Sequence, residues 1–287
     1  MRVMILGASG MQGHVITRWL RQNTDWAVRT HVRRSTQFDS IPSFDGDLYQ
    51  GDILIDMMID QFEPEVVINC VGILPARCRA APPVAAYINT YLPHLLASRG
   101  KAHGFRVIHL STDCVFSGKD GKAPYHECSI KSESGIYGVT KSAGEISDDH
   151  ALTIRTSIIG PELKEDGTGL FHWFMKQEGA ISGWTNAFWN GVTTLELAKF
   201  IQHSIESKYS GLCHFHAAES VSKFDLLHIF KVCYEKEIEI IPKSIENTID
   251  KRLVSTRGDI DFEAKKIGQL VAEQKAWYKP QEGEVKQ

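Results

Sequence analysis

The stretch that most restricts the fold lies at the start of the chain. Arg2-Val-Met-Ile-Leu6 is a short apolar run that passes directly into Gly7-Ala8-Ser9-Gly10-Met11-Gln12-Gly13. From His14 to Arg21, Val15, Ile16, Trp19 and Leu20 recur at helical intervals. The order is therefore buried strand, glycine loop, helix. Glycine serves three physical ends here: a tight turn, close approach of backbone to a pyrophosphate, and close packing of helix on strand. The N-terminus of the helix then offers N–H groups and the positive end of its dipole to phosphate. The spacing is G-x-x-G-x-x-G rather than G-x-G-x-x-G. A ligand-free tight turn is the other reading, and the strand-to-helix context favours the phosphate cradle.

The pattern then repeats. A second strand is predicted over Trp26 to Val32, ending in Arg33-Arg34. An acidic residue at this place suits a ribose 2′-hydroxyl, whereas arginine suits a 2′-phosphate. The pair points to NADP over NAD, the other reading being two solvated surface arginines. Leu48 to Ile53 reads as a third strand ending in Asp52, followed by helix to Gln61. Glu65 to Cys70 is a fourth strand opening into Val71-Gly72-Ile73. Ala85 to His103 is helical, and Pro93 within it is expected to kink or restart the helix. Arg106 to Leu110 is a fifth strand leading into Ser111-Thr112-Asp113, and Leu152 to Arg155 a sixth. Strands alternating with helices predict an α/β fold, a Rossmann-type doubly wound parallel sheet whose ligands sit beyond the strand C-terminal ends. Candidate cofactor contacts at those ends are Gly7, Ser9, Gly10, Met11, Gln12, Gly13, Arg33, Arg34, Asp52, Ile53, Cys70, Val71 and Gly72.

Beyond Gly160, glycines punctuate short segments. Thr194 to Glu206 and Lys223 to Glu235 read as helices, Leu212 to His216 as a strand, and the charged tail after about Tyr278 is expected to fray. The expected division is a dinucleotide-binding domain over 1–160, with 191–210 packing back on it. A smaller substrate domain would comprise 161–190 and 211–287. The length of 287 residues suits such an arrangement.

Composition narrows the function. A net charge of −3 gives no support to a nucleic-acid or membrane-surface partner. The six cysteines form no C-x-x-C, which leaves zinc and redox readings unsupported, so no metal is expected. Scattered thiols fit a reducing cytoplasm. The N-terminal apolar run is too short for a signal peptide, and no run approaches a membrane span.

Tyr137 and Lys141 stand four residues apart in a predicted helix, on one face and one turn apart. An ammonium beside a phenol favours the phenolate, so such a tyrosine can pass a proton to or from a substrate oxygen near neutral pH. The spacing alone also fits a half-buried Tyr beside a solvated Lys.

Together these segments resemble the extended short-chain dehydrogenase/reductase superfamily, and within it the dTDP-4-dehydrorhamnose reductase family. The residues carrying the resemblance are Gly7-x-x-Gly10-x-x-Gly13, Ser111-Thr112-Asp113-Cys114-Val115-Phe116-Ser117-Gly118, Tyr137-Gly138-x-x-Lys141-x-x-x-Glu145, Ile154-Arg155-Thr156-Ser157 and Asn190 to Ala198. The resemblance implies that Tyr137 is the general acid, that Lys141 lowers its pKa and binds the nicotinamide ribose, and that Thr112 holds the substrate carbonyl. Asp113 either touches substrate or caps a turn, and Asn186 is a further candidate substrate contact. The family often has Tyr where Cys114 stands and Trp where Ile158 stands, and its acidic stretch after the fourth strand is replaced here by Pro75 to Pro82. Arg77 and Arg79 within that stretch face either a diphosphate or solvent.

The implied activity is NADPH-dependent reduction of a keto group, at C4, on a nucleotide-linked deoxysugar in surface-polysaccharide or deoxysugar biosynthesis. The expected partners are a nucleotide-diphosphate sugar and a second copy of the chain, with neither nucleic acid nor membrane. An epimerase would retain NAD, which Arg33-Arg34 does not suit, and a dehydratase would carry Glu at Cys114. A non-catalytic regulatory subunit on the same fold is the rival of a different class.

Overall fold

The computed structural model describes residues 1–34 and 41–278. Within it the chain divides into two compact units. The first comprises Met1–Phe116, Ile130–Arg155 and Ala198–Cys213; the second comprises Ser117–Ser129, Thr156–Leu197 and His214 onward.

The first unit is built on strands β1 (Arg2–Leu6), β2 (Ala27–Val32), β3 (Ser43–Asp45), β4 (Val66–Asn69), β5 (Arg106–Leu110) and β6 (Ala151–Arg155). The sheet runs Gly211–His214, β6, β5, β4, β1, β2, β3. Pairing is parallel from β3 through to β6. Strand order reverses between β1 and β4, which is the Rossmann-type arrangement with its ligand crevice at the switch point. Val3 to Leu6 of β1 and the whole of β4 are buried on alternating sides, so both faces of the sheet are covered. Its helices include α1 (Met11–Asn23), α2 (Asp52–Phe62), α3 (Pro75–Ala80), α4 (Pro82–Ala86), α5 (Leu92–His103) and α6 (Ile136–Ala143). One core joins Met4, Leu6, Val67 and Val107 of the sheet to Ile55, Met58, Leu92 and Leu96.

One expectation needs correction. Leu48–Gln50 is a 3-10 turn and not a strand; the third strand is β3, whose Phe44 enters the core. Asp47 sets that turn by accepting the Tyr49 N–H at 3.1 Å, so Asp52 opens helix α2 and does not end a strand. Around Pro93 the helix restarts as expected: α5 begins at Leu92 with Pro93 in its first turn, and a π-turn over Tyr87–Tyr91 separates it from α4. Pro93 has no N–H to return to the Asn89 carbonyl, and the widened turn lets Leu92 N–H bond the Tyr87 carbonyl instead. The bared Asn89 carbonyl packs on Gly144, where a Cβ would lie 1.9 Å from it.

In the second unit Ile158–Ile159 pairs with Val192–Thr193, and Ala180–Trp184 pairs with Glu239–Lys243, each parallel. Ala187–Trp189 lies between Val221–Ser222 and Ile249–Asp250. Ser222 and Asp225 form a capping box at the start of helix Lys223–Tyr234. Phe171 and Phe174 each pack ring against ring on Phe230 of that helix. The charged tail beyond Tyr278 lies outside the described residues. Among the described residues no helix is long and apolar enough to cross a membrane.

Candidate functional site

The glycine loop closes over the end of β1. Gly7 takes φ +76°, a left-handed value that suits glycine, and its N–H and that of Ala8 both bond the His31 carbonyl. Gly13 sits so close to the strand that a Cβ would lie 2.3 Å from the Gly7 oxygen. Gly10 caps α1 without a side chain, and the first turn carries no acidic residue. The backbone is thus open to an anion at the positive end of the helix. His14, fully buried, donates from Nδ1 to the Gly10 carbonyl at 2.9 Å; burial pulls its pKa down to about 4, so it stays neutral there.

The loop after β4 lies alongside. Cys70 N–H bonds the Leu6 carbonyl at 3.0 Å, and Gln12 Nε2 donates to the Cys70 carbonyl at 3.2 Å. A Cβ on Gly7 would meet Val71 Cγ2 at 3.0 Å. Gly7, Gln12, Gly13, Cys70 and Val71 therefore form one cluster at the switch point. Gly72 continues that loop and is exposed, while Ser9 and Met11 are half-buried in the glycine loop itself. Arg33 and Arg34 follow β2 with both side chains exposed. Asp52 is taken up by two phenols: Tyr87 donates to one oxygen at 2.8 Å and Tyr91 to the other at 2.7 Å. Its neighbour Ile53 is 84% exposed.

Thr112, Tyr137 and Lys141 come together at the end of β5. Glu133 holds the turn that leads into the helix carrying the latter two, accepting from the N–H groups of Ser134 and Gly135. The Tyr137 ring is half-buried, while its hydroxyl end is enclosed and hydrogen-bonded to the Thr112 side chain. Thr112 Oγ1 donates to Asp113 at 3.1 Å and accepts the Cys114 N–H at 3.1 Å. Burial raises the phenol's pKa, nearby Cys114 adds to the rise, and Thr112 offsets part of it. The expectation of an acidified phenol is therefore corrected for the protein alone, because Lys141 points its ammonium elsewhere. Its Nζ donates to the Leu110 carbonyl at 2.6 Å. Burial lowers the Lys141 pKa to about 8.

Several supports were not visible in the sequence. Asn89 binds both backbone groups of Ile73, at 2.8 and 3.1 Å, and donates to Thr140 Oγ1 at 3.2 Å, tying the β4 loop to α6. The one available signal was its place four residues before Pro93. Glu145 is held by Arg155 through two bonds of 2.6 and 2.8 Å, by Ser111 Oγ at 2.7 Å and by Lys131 at 3.1 Å. Burial would raise the Glu145 pKa, but these partners outweigh it and leave the carboxyl below its usual value. Asn186 belongs to the second unit, where its amide meets the Ile245 backbone at both ends. Arg77 and Arg79 lie exposed on α3.

The chain is similar to known proteins over its whole fold. It is 30% identical over 146 residues to methionine adenosyltransferase 2 subunit beta of Rattus norvegicus, covering 50% of this chain and 41% of that one. It is 30% identical over 162 residues to a dTDP-4-dehydrorhamnose reductase of Streptomyces griseus, covering 54% and 49%. The chain thus spans about half the length of the curated relatives it matches. A crystal structure of dTDP-4-dehydrorhamnose reductase from Bacillus anthracis, in complex with NADP, superposes with a TM-score of 0.79 at 18% identity, over 96% of this chain and 99% of that one. The sequence model of the RmlD substrate binding domain matches residues 1–253, and the chain belongs to that family.

Proposed function

We propose that the protein is an NADPH-dependent reductase of a keto group, at C4, on a nucleotide-linked deoxysugar. The observation that carries this reading is the joining of Thr112, Tyr137 and Lys141 in the same unit as the glycine loop. The loop fits a dinucleotide: the space a Cβ on Gly13 would fill is taken by backbone, and no first-turn carboxylate opposes a pyrophosphate. Gly7, Ser9, Gly10, Met11, Gln12 and Gly13 would hold the phosphates. Arg33 and Arg34 would hold the 2′-phosphate, and Asp52, Ile53, Cys70, Val71 and Gly72 would line the remaining cofactor contacts. A nicotinamide bound there supplies hydride to the carbonyl carbon.

The chain's own residues do the rest. Tyr137 donates the proton to the carbonyl oxygen, and a raised pKa keeps that proton available at neutral pH. Thr112 orients the same oxygen. Lys141 stabilises the phenolate left behind once its ammonium turns from Leu110. Asp113 and Asn186 are assigned to substrate, and residues 161–190 and 211–287 to the substrate domain, with 1–160 and 191–210 binding cofactor. The partners are the sugar nucleotide and a second copy of the chain, in the cytoplasm.

A second reading, a regulatory subunit on the same fold, is favoured by the resemblance to the methionine adenosyltransferase subunit. Incubation with NADPH and a panel of nucleotide-linked 4-keto-6-deoxysugars separates the two. Oxidation of NADPH by one of them is expected; none across the panel favours the subunit.

A further inference from the structure

Asn69 and His109 stand opposite each other on neighbouring strands, the last rung of β4 against β5. Both are fully buried. Asn69 Oδ1 accepts the Val71 N–H at 3.1 Å, which fixes the orientation of the amide and turns its NH₂ end toward His109 Nδ1, 3.2 Å away. A ring nitrogen that accepts a bond carries the lone pair, so the neutral His109 ring has its proton on Nε2. Among the described residues Nε2 has no hydrogen-bond partner. Burial, with Lys141 and His94 adding their charge, holds the ring's pKa well below its usual value, so the acceptor at Nδ1 persists. A buried donor left unmatched is unfavourable. The ring is nevertheless placed so that its other nitrogen locks the amide that holds Val71.

We infer that His109 is a positioning residue that acts through Asn69 to fix the Val71 backbone at the switch point. The wall that Val71 presents to Gly7, where Cγ2 stands 3.0 Å from a Cβ position on that glycine, depends on this chain of two bonds. The consequence for cofactor affinity rests on the NADPH reading above; the consequence for the backbone does not.

The experiment compares His109→Leu, which removes the acceptor, with His109→Gln, which restores one. Amide hydrogen exchange is read at Val71 and along β4 in the full-length protein. In His109→Leu, exchange at Val71 should quicken at least tenfold while Cys70, bonded to the Leu6 carbonyl, stays within twofold. His109→Gln should bring Val71 back toward the parent value. NADPH affinity should fall about tenfold in the Leu variant, and adding Asn69→Ala to it should change nothing further. Unchanged Val71 exchange in a folded Leu variant overturns the inference. So does equal quickening of all β4 amides in both variants, which would mean that the ring only fills the core. Should the parent protein not bind NADPH, the cofactor reading fails while the exchange result still decides this one.

Discussion

The Lys141 ammonium donates to the carbonyl oxygen of Leu110, the last residue of β5, at 2.6 Å. This bond anchors a buried cation whose pKa is lowered to about 8. Unfolded, the lysine titrates near its ordinary 10.5, so between about pH 8 and 10.5 the unfolded chain binds more protons and stability rises with pH. Turnover should move oppositely, falling above about pH 8 as the cation is lost. Lys141→Met should remove both effects, seen in pH–rate profiles and in thermal melts at pH 7 and 10.

Tyr137→Phe should keep NADPH affinity within a few-fold and lower kcat by about 10²–10⁴, the usual worth of general acid catalysis. Single-turnover kinetics with a reducible sugar nucleotide measure it. Near-normal turnover would remove the phenol from the reaction.

Arg33 and Arg34 should set cofactor preference. Charge-assisted bonds to a phosphate are worth about 1.5–3 kcal/mol each, so NADPH should bind roughly ten- to a hundredfold tighter than NADH. Replacing both by Ala should weaken NADPH and leave NADH nearly unchanged. Because the side chains are exposed, the preference should shrink as salt rises. Calorimetric titration of both cofactors at two ionic strengths tests this; a variant that weakens both alike would assign the arginines to the fold.

Gly13→Ala should fail more severely than its single methyl suggests. The atoms its Cβ would meet are backbone, the Gly7 oxygen at 2.3 Å and Ala8 Cα at 2.9 Å, and they cannot swing aside. A loss of about 1–3 kcal/mol in urea unfolding is expected, with cofactor affinity reduced in the fraction that folds.

The sheet was legible because its strands are apolar runs ended by small residues, and the loop because glycine spacing reports backbone geometry directly. β3 was not, since Ser43-Phe44-Asp45 offers one apolar side chain while the neighbouring Leu48-Tyr49 looks more strand-like. Tyr137 and Lys141 stood out by their spacing, which alone left a bland reading open; the Ser-Thr-Asp segment and the resemblance singled them out. The acceptor of Lys141 was hidden because a main-chain carbonyl leaves no trace in residue identity. Asn69 and His109 lie 40 residues apart, and only strand pairing joins them.

The π-turn at Tyr87–Tyr91 makes this region sensitive to residue number more than to residue type. It holds one residue beyond what an α-helical turn needs, and each residue advances a helix by about 100°. Excising any single residue there would let the two helical segments fuse into one continuous spiral with its angular phase reset. Asn89, Tyr87 and Tyr91 could no longer address Ile73, Thr140 and Asp52 together, even with every contacting side chain retained in the sequence. Length is therefore a structural requirement of this segment in its own right: it tolerates exchange of letters better than a change in their count.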